Sequence, residues 1–193
     1  MIEFWYDFGS PASYLAWTQI DRIQEETGQT VALKPMLLGG VFKATGNASP
    51  VMVAAKGAWM MRDMARWAAR YGVPLKMPPN FPLNTLNFMR GAVALENDER
   101  LDAYMTAMFE AMFARGEAMD DMDVVVRVLT DAGFNAKEIF AATQDAGVKA
   151  RLIAATEEAV SRGVFGAPTF FVGKQMHFGN DRIDWVIEAA NAA

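Results

Sequence analysis

Three short stretches of the chain carry residue types that could do chemistry together. Ser10-Pro11-Ala12-Ser13 follows an apolar run. Serine before proline suits a helix start, because the hydroxyl caps the first turn and proline has no N–H to leave unpaired. A hydroxyl placed there can also donate a hydrogen bond to an anion. Ala167-Pro168-Thr169 stands between a helical stretch and a β run. Were the bond before Pro168 cis, the N–H and C=O of Ala167 would turn outward to pair with an extended, peptide-like ligand. Gly179-Asn180-Asp181-Arg182 offers a carboxylate to an ammonium and backbone N–H groups to a carboxylate, the two charges of an α-amino acid head group. Each stretch also has a plain structural reading: an N-cap, a trans proline opening a strand, an Asn/Asp helix cap.

The missing residue types narrow the chemistry. Among 193 residues there is no cysteine and one histidine, His177. Disulfides, thiolate metal sites and cysteine nucleophiles are excluded, as are multi-histidine metal centres and most Ser-His-acid arrangements. His177 reads as a strand residue rather than a catalyst. An enzyme of this composition is expected to borrow its nucleophile or redox group. A net charge of −5 without a run of Lys or Arg argues against nucleic acid and anionic membranes as partners. No window reaches the roughly 18 consecutive apolar residues of a membrane span. The first residues lack the basic and apolar regions of a secretory signal, so a cytoplasmic protein is expected.

The elements that must position these residues follow from periodicity and punctuation. Ile2 to Phe8 reads as a buried strand. A helix starts at Pro11, repeats apolar residues at Ala12, Leu15, Ala16, Ile20 and Ile23, and stops at Gly28. Thr30 to Leu38 is a second strand, with Pro35 suiting an edge. Residues 50–72 form a long amphipathic helix, and the prolines between Val73 and Pro82 require an ordered loop. Helices follow near 84–96, 99–115, 121–132, 136–146 and 148–162. Pro168 to Val172 and Gln175 to Phe178 form a hairpin about Gly173-Lys174, and a last helix follows with Asp181 near its start. This order predicts a thioredoxin-type α/β fold with an all-helical insertion: residues 1–42 plus 155–193 in the thioredoxin-like part and 43–154 in the insertion. Such folds place C-x-x-C where the first strand meets its helix. Here those positions are Ser10 and Ser13, so disulfide exchange is ruled out.

S-P-x-S-Y-L-A, G-V-F-G-A-P-T-F-F-V and F-G-N-D-R-x-x-W together resemble the 2-hydroxychromene-2-carboxylate isomerase family, within the DsbA-like kappa-class glutathione transferases. The resemblance extends over the whole chain, including K-x-x-G-N and P-x-N-F-P stretches. It implies glutathione as cofactor, an aromatic keto acid as substrate, and a homodimer. The implied reaction is cis/trans isomerisation between 2-hydroxychromene-2-carboxylate and trans-o-hydroxybenzylidenepyruvate, or a related intermediate of aromatic degradation. Position by position, Ser10 would face the glutathione sulfur. Ala167 and the cis-Pro168 would pair with its cysteinyl unit, and Gly179, Asn180, Asp181 and Arg182 would hold the γ-glutamyl head. Asn47 would line the site, Lys56 would lie near the glycyl carboxylate, and Lys43 and Phe81 would contact substrate. Ser10 has no adjacent imidazole or evident base, so its expected role is to donate a hydrogen bond to the thiolate, not to attack. A kappa-like transferase that consumes glutathione, or a thioredoxin-fold module that only binds it, is the alternative.

Overall fold

A computed structural model describes residues 1–192. Ile2–Tyr6 forms β1 and buries Ile2, Phe4, Trp5 and Tyr6 completely, apolar on both faces as a central strand requires. It pairs parallel with β2 (Val31–Pro35) and antiparallel with β3 (Thr169–Val172), and β3 pairs antiparallel with β4 (Gln175–Phe178). The sheet order is β2-β1-β3-β4, with Phe4 opposite Leu33 on one side and Phe170 on the other. Pro35 ends an edge strand, where its missing N–H breaks no ladder. This is the expected thioredoxin-type arrangement, with the helices between β2 and β3 supplying the rest of the molecule.

The first helix is interrupted. α1 (Pro11–Trp17) and α2 (Ile20–Thr27) are separated at Thr18 and Gln19, where the Thr18 hydroxyl donates to the Leu15 carbonyl at 2.7 Å. Such back-bonding competes with the helical ladder. The second strand stops at Pro35 and is followed by α3 (Leu38–Thr45), which the sequence pattern does not announce. Its start is capped from far away: Leu37 N–H donates to Thr156 Oγ1 at 3.0 Å and Leu38 N–H to Asp7 Oδ2 at 2.7 Å. The predicted helix over 50–72 divides at Val53 into a 3₁₀ turn (Pro50–Met52) and α4 (Ala54–Tyr71).

The proline-rich loop is fastened by Tyr14 Oη donating to Pro74 O at 2.8 Å and Lys76 N–H to Phe113 O at 2.7 Å. α5 (Leu86–Ala94) and α6 (Leu101–Phe109) follow, the latter running into a π-helical turn over Glu110–Ala114. Next come α7 (Met122–Asp131), α8 (Ala136–Gln144) and α9 (Ala146–Ser161), the last capped by Asp145. A 3₁₀ turn at Asn180–Arg182 leads into α10 (Ile183–Asn191).

One aromatic cluster joins sheet and helices. Phe8 packs on Phe109 of α6 with ring centroids 4.8 Å apart and on Tyr104 at 5.9 Å, while Phe4 stacks on Phe170 at 5.0 Å. Each fully buried aromatic contributes on the order of 2 kcal/mol by apolar burial alone. The positions 42/43 and 154/155 fall inside α3 and α9.

Candidate active site

A cleft of about 640 Å³ opens where β1 hands over to α1. Ser10, Ala167, Pro168, Gly179 and Asp181 form its sheet side, and Lys56, Trp59, Met60 and Asp63 of α4 face them. The 56–59–60–63 spacing is one helical face.

Ser10 is the N-cap of α1, and its Oγ accepts from Ser13 N–H at 3.1 Å. The same hydroxyl donates to Ala167 O at 2.9 Å, and the Ala167–Pro168 bond is cis. Two of the three predicted stretches therefore meet at one hydrogen bond. In the first turn of α1, Pro11 has no N–H, Ser13 N–H is taken by Ser10 Oγ and Tyr14 N–H by Ser10 O. Ala12, which lines the cleft, has an N–H with no acceptor among the described residues.

The third stretch lies alongside. Gly179 N–H donates to Pro168 O at 3.0 Å, which fastens β4 to the proline. At φ +107° Gly179 occupies a backbone region closed to other residues, and a Cβ there would stand 2.3 Å from Asp181 Oδ1. Asn180 is buried, its carbonyl accepts from Tyr71 Oη at 2.7 Å, and its amide nitrogen has no hydrogen-bond partner among the described residues. A buried amide without an acceptor is costly, so this group is ready for a ligand oxygen. Asp181 reaches the cleft, whereas the Arg182 guanidinium pairs with Asp181 and lies 4.8 Å over the Trp185 ring, outside the cleft wall.

Asn47, Lys56 and Phe81 also line the cleft. Both ends of the Asn47 amide are used within the chain: Nδ2 donates to Phe165 O at 2.8 Å and Oδ1 accepts from Ala48 N–H at 2.8 Å. Asn47 thus holds the loop that leads to Ala167. Lys43 is not part of this wall. Leu38 and Phe42, one turn apart on α3, face the cleft, and Lys43 lies on the opposite side of that helix with Leu37 and Gly40. His177 borders a separate hollow beside Trp185 and Glu188.

Asp7 was not singled out in the sequence, yet it organises the junction. Its carboxylate, 1% exposed, accepts from Gly9 N–H at 2.7 Å, Thr85 Oγ1 at 2.6 Å and Leu38 N–H at 2.7 Å. Burial raises its pKa above the ordinary carboxylate value, against the pull of these three hydrogen bonds. One side chain so fixes the turn before Ser10, the start of α3 and the approach to α5. Asp63, Trp59 and Met60 were legible only as an amphipathic helix.

The sheet, the helical insertion and the cis-proline opposite the α1 N-cap define a thioredoxin-type protein with hydroxyls where redox relatives carry thiols. Residues 1–190 match the model of the DSBA-like thioredoxin domain, and the chain belongs to that family. It is 32% identical over 187 residues to a 2-hydroxychromene-2-carboxylate isomerase of Sphingobium xenophagum, a match spanning 96% of this chain and 95% of that protein. It is 29% identical over 198 residues to glutathione S-transferase kappa 1 of Rattus norvegicus, spanning 95% and 88% of the two chains. The solved structure of a 2-hydroxychromene-2-carboxylate isomerase superposes with a TM-score of 0.89 at 29% identity, covering 99% of this chain and 94% of the other.

Proposed function

We propose that this protein is a glutathione-dependent isomerase that interconverts 2-hydroxychromene-2-carboxylate and trans-o-hydroxybenzylidenepyruvate, or a closely related aromatic keto acid. The observation that carries this reading is the Ser10 hydroxyl, capping α1 and 2.9 Å from the Ala167 carbonyl beside Pro168. Glutathione suits the residues present. The unpartnered Asn180 amide and the Lys56 ammonium answer its two carboxylates, Asp63 and Asp181 answer its ammonium, and Ala167 offers main-chain pairing to the cysteinyl unit. When bound, it would supply a thiolate that adds reversibly to an electron-poor carbon of the substrate, leaving a single bond about which rotation can occur.

The chain's own work is to orient the reactants and stabilise charge. A serine hydroxyl has one hydrogen and two lone pairs. Ser13 N–H occupies one lone pair, and the hydrogen is directed at Ala167 O. A main-chain N–H of the ligand donating to Ala167 O offers that carbonyl a new partner and lets the Ser10 hydrogen turn toward a sulfur anion. Ala12 N–H is the second donor. A charge-assisted hydrogen bond contributes about 1.5–3 kcal/mol, and one pKa unit corresponds to about 1.4 kcal/mol, so a thiol of pKa near 8.5 is brought to the neutral range. Trp59, Met60 and Phe81 give the cleft apolar walls for an aromatic body. A reduced thiol cofactor suits a cytoplasmic setting, and a homodimer is the assembly proposed with it.

The test is a thiol balance. With glutathione and trans-o-hydroxybenzylidenepyruvate, the purified protein is expected to bring the substrate to equilibrium with its chromene partner while free thiol stays constant. Stoichiometric loss of thiol would make it a transferase, and glutathione binding without turnover would make it a binding module.

A further inference from the structure

We infer that the groove between α3, α5 and α9 is a second ligand site, for a small organic anion with an apolar body, of the aromatic monocarboxylate class. The groove has a volume of about 540 Å³ and lies on the far side of α3 from the cleft. That size is typical of small-molecule sites. Leu37, Leu86, Leu152 and Ile153 supply apolar walls, and Ile153 is 59% exposed.

Three cations, Lys43, Arg90 and Lys149, border it, against one anion, Glu157. Among the described residues none of these four side chains makes an ion pair, and the only hydrogen bond any of them makes is from Lys149 Nζ to Gln144 Oε1 at 3.1 Å. Arg90 is a half-buried residue whose guanidinium carries five N–H donors and finds no acceptor among the described residues. A planar donor fork partly withdrawn from water is matched by a carboxylate, which can accept two parallel hydrogen bonds. Arg151 Nη2 donates to Val93 O at 3.3 Å and pins the start of α9 to α5, within a turn of Lys149 and Arg90. Two cations therefore share that end of the groove; along α9 the apolar pair Leu152 and Ile153 comes next, then Thr156 and Glu157, and then Val160. This combination selects an anion with an apolar tail over inorganic phosphate, which would leave the apolar walls wet, and over a neutral ring, which would leave the guanidinium unpaired.

The probes are 2-naphthoate and its neutral amide, titrated calorimetrically into the full chain. The acid is expected to bind at least tenfold more tightly than the amide. Joint replacement Arg90→Gln and Lys149→Gln is expected to remove that difference, whereas Lys56→Gln, at the cation of the catalytic cleft, leaves it intact. Equal affinity for acid and amide overturns the site, as does a loss that follows Lys56→Gln instead. Wild-type protein irradiated with 4-benzoylbenzoate gives a readout free of folding effects. Adducts are expected on peptides from α3, α5 or α9, and adducts confined to α4 and the Ala167 loop overturn the inference.

Discussion

The single hydrogen of Ser10 is directed at the Ala167 carbonyl, and the sulfur anion proposed for this site would compete for it, which makes a mutational forecast. Ser10→Ala removes one charge-assisted donor of about 1.5–3 kcal/mol, so turnover with glutathione should fall roughly 10- to 150-fold. The acidic limb of the pH–rate profile should move to higher pH, while calorimetric affinity for glutathione changes little because Lys56, Asp181 and Ala167, the cleft residues proposed to hold it, are untouched. An unshifted profile would remove Ser10 from the chemistry. Asp7 supplies a second forecast. Its folded-state pKa lies above its ordinary value because it is buried. Between those two values the native state binds more protons than the unfolded state, so stability falls as pH rises through the window and the cost is constant above it. Asp7→Asn abolishes that titration, although it also sets an amide against Leu38 N–H. In urea unfolding across the acidic range, the variant should be less stable than wild type at low pH and regain ground as pH increases. A difference independent of pH would mean that Asp7 is not the titrating group. Ser10 was readable because Pro11 follows it. Asp7 was not, since its three donors come from positions 9, 38 and 85.

Elements whose signals are local were legible, and those stabilised from a distance were not. Gly28 and Gly72 close α2 and α4 in the left-handed conformation expected of helix-ending glycines. The β3–β4 hairpin follows Gly173-Lys174 with Val172 opposite Gln175. α3 escaped notice because Gly39-Gly40 reads as helix-breaking, while its caps, Asp7 and Thr156, lie far off in sequence. That omission also explains Lys43: without a helix there is no phase, and a lysine near Asn47 has no reason to face away from it. The turn between β4 and α10 offers a test of element geometry. Gly179→Ala would force a side chain into φ +107° and within 2.3 Å of Asp181 Oδ1. The strain should cost about 1–3 kcal/mol. Because the same turn carries Asn180 and Asp181, glutathione affinity should fall along with Tm. Thermal unfolding and calorimetry on one preparation separate the outcomes, and lowered Tm with unchanged affinity would exclude this turn from the proposed glutathione site.

For the molecule as a whole, the question is whether sheet and helices fold as one. The apolar repeat pointed to a helical insertion over 43–154, but the aromatic cluster runs through both parts. Phe109 of α6 packs on Phe8 at 4.8 Å, on Tyr6 at 6.1 Å, and on Tyr14 and Trp17 of α1 at 6.3 Å each. A ring shared by two cooperative units is in effect the interface that merges them. Phe109→Ala deletes it and leaves a cavity that the surrounding side chains cannot fully refill, a loss of about 3–5 kcal/mol. If the cluster couples the parts, far-ultraviolet circular dichroism, dominated by the helices, and the fluorescence of a Trp59→Phe/Trp67→Phe background, which removes the two tryptophans of α4 and keeps Trp5 on β1, Trp17 on α1 and Trp185 on α10, should report one coincident transition when Phe109 is intact. Both should shift together in the variant. Two separated transitions, with the helical signal surviving after the tryptophan signal is lost, would make the insertion a domain in its own right, and the cleft, walled by both parts, an interdomain site.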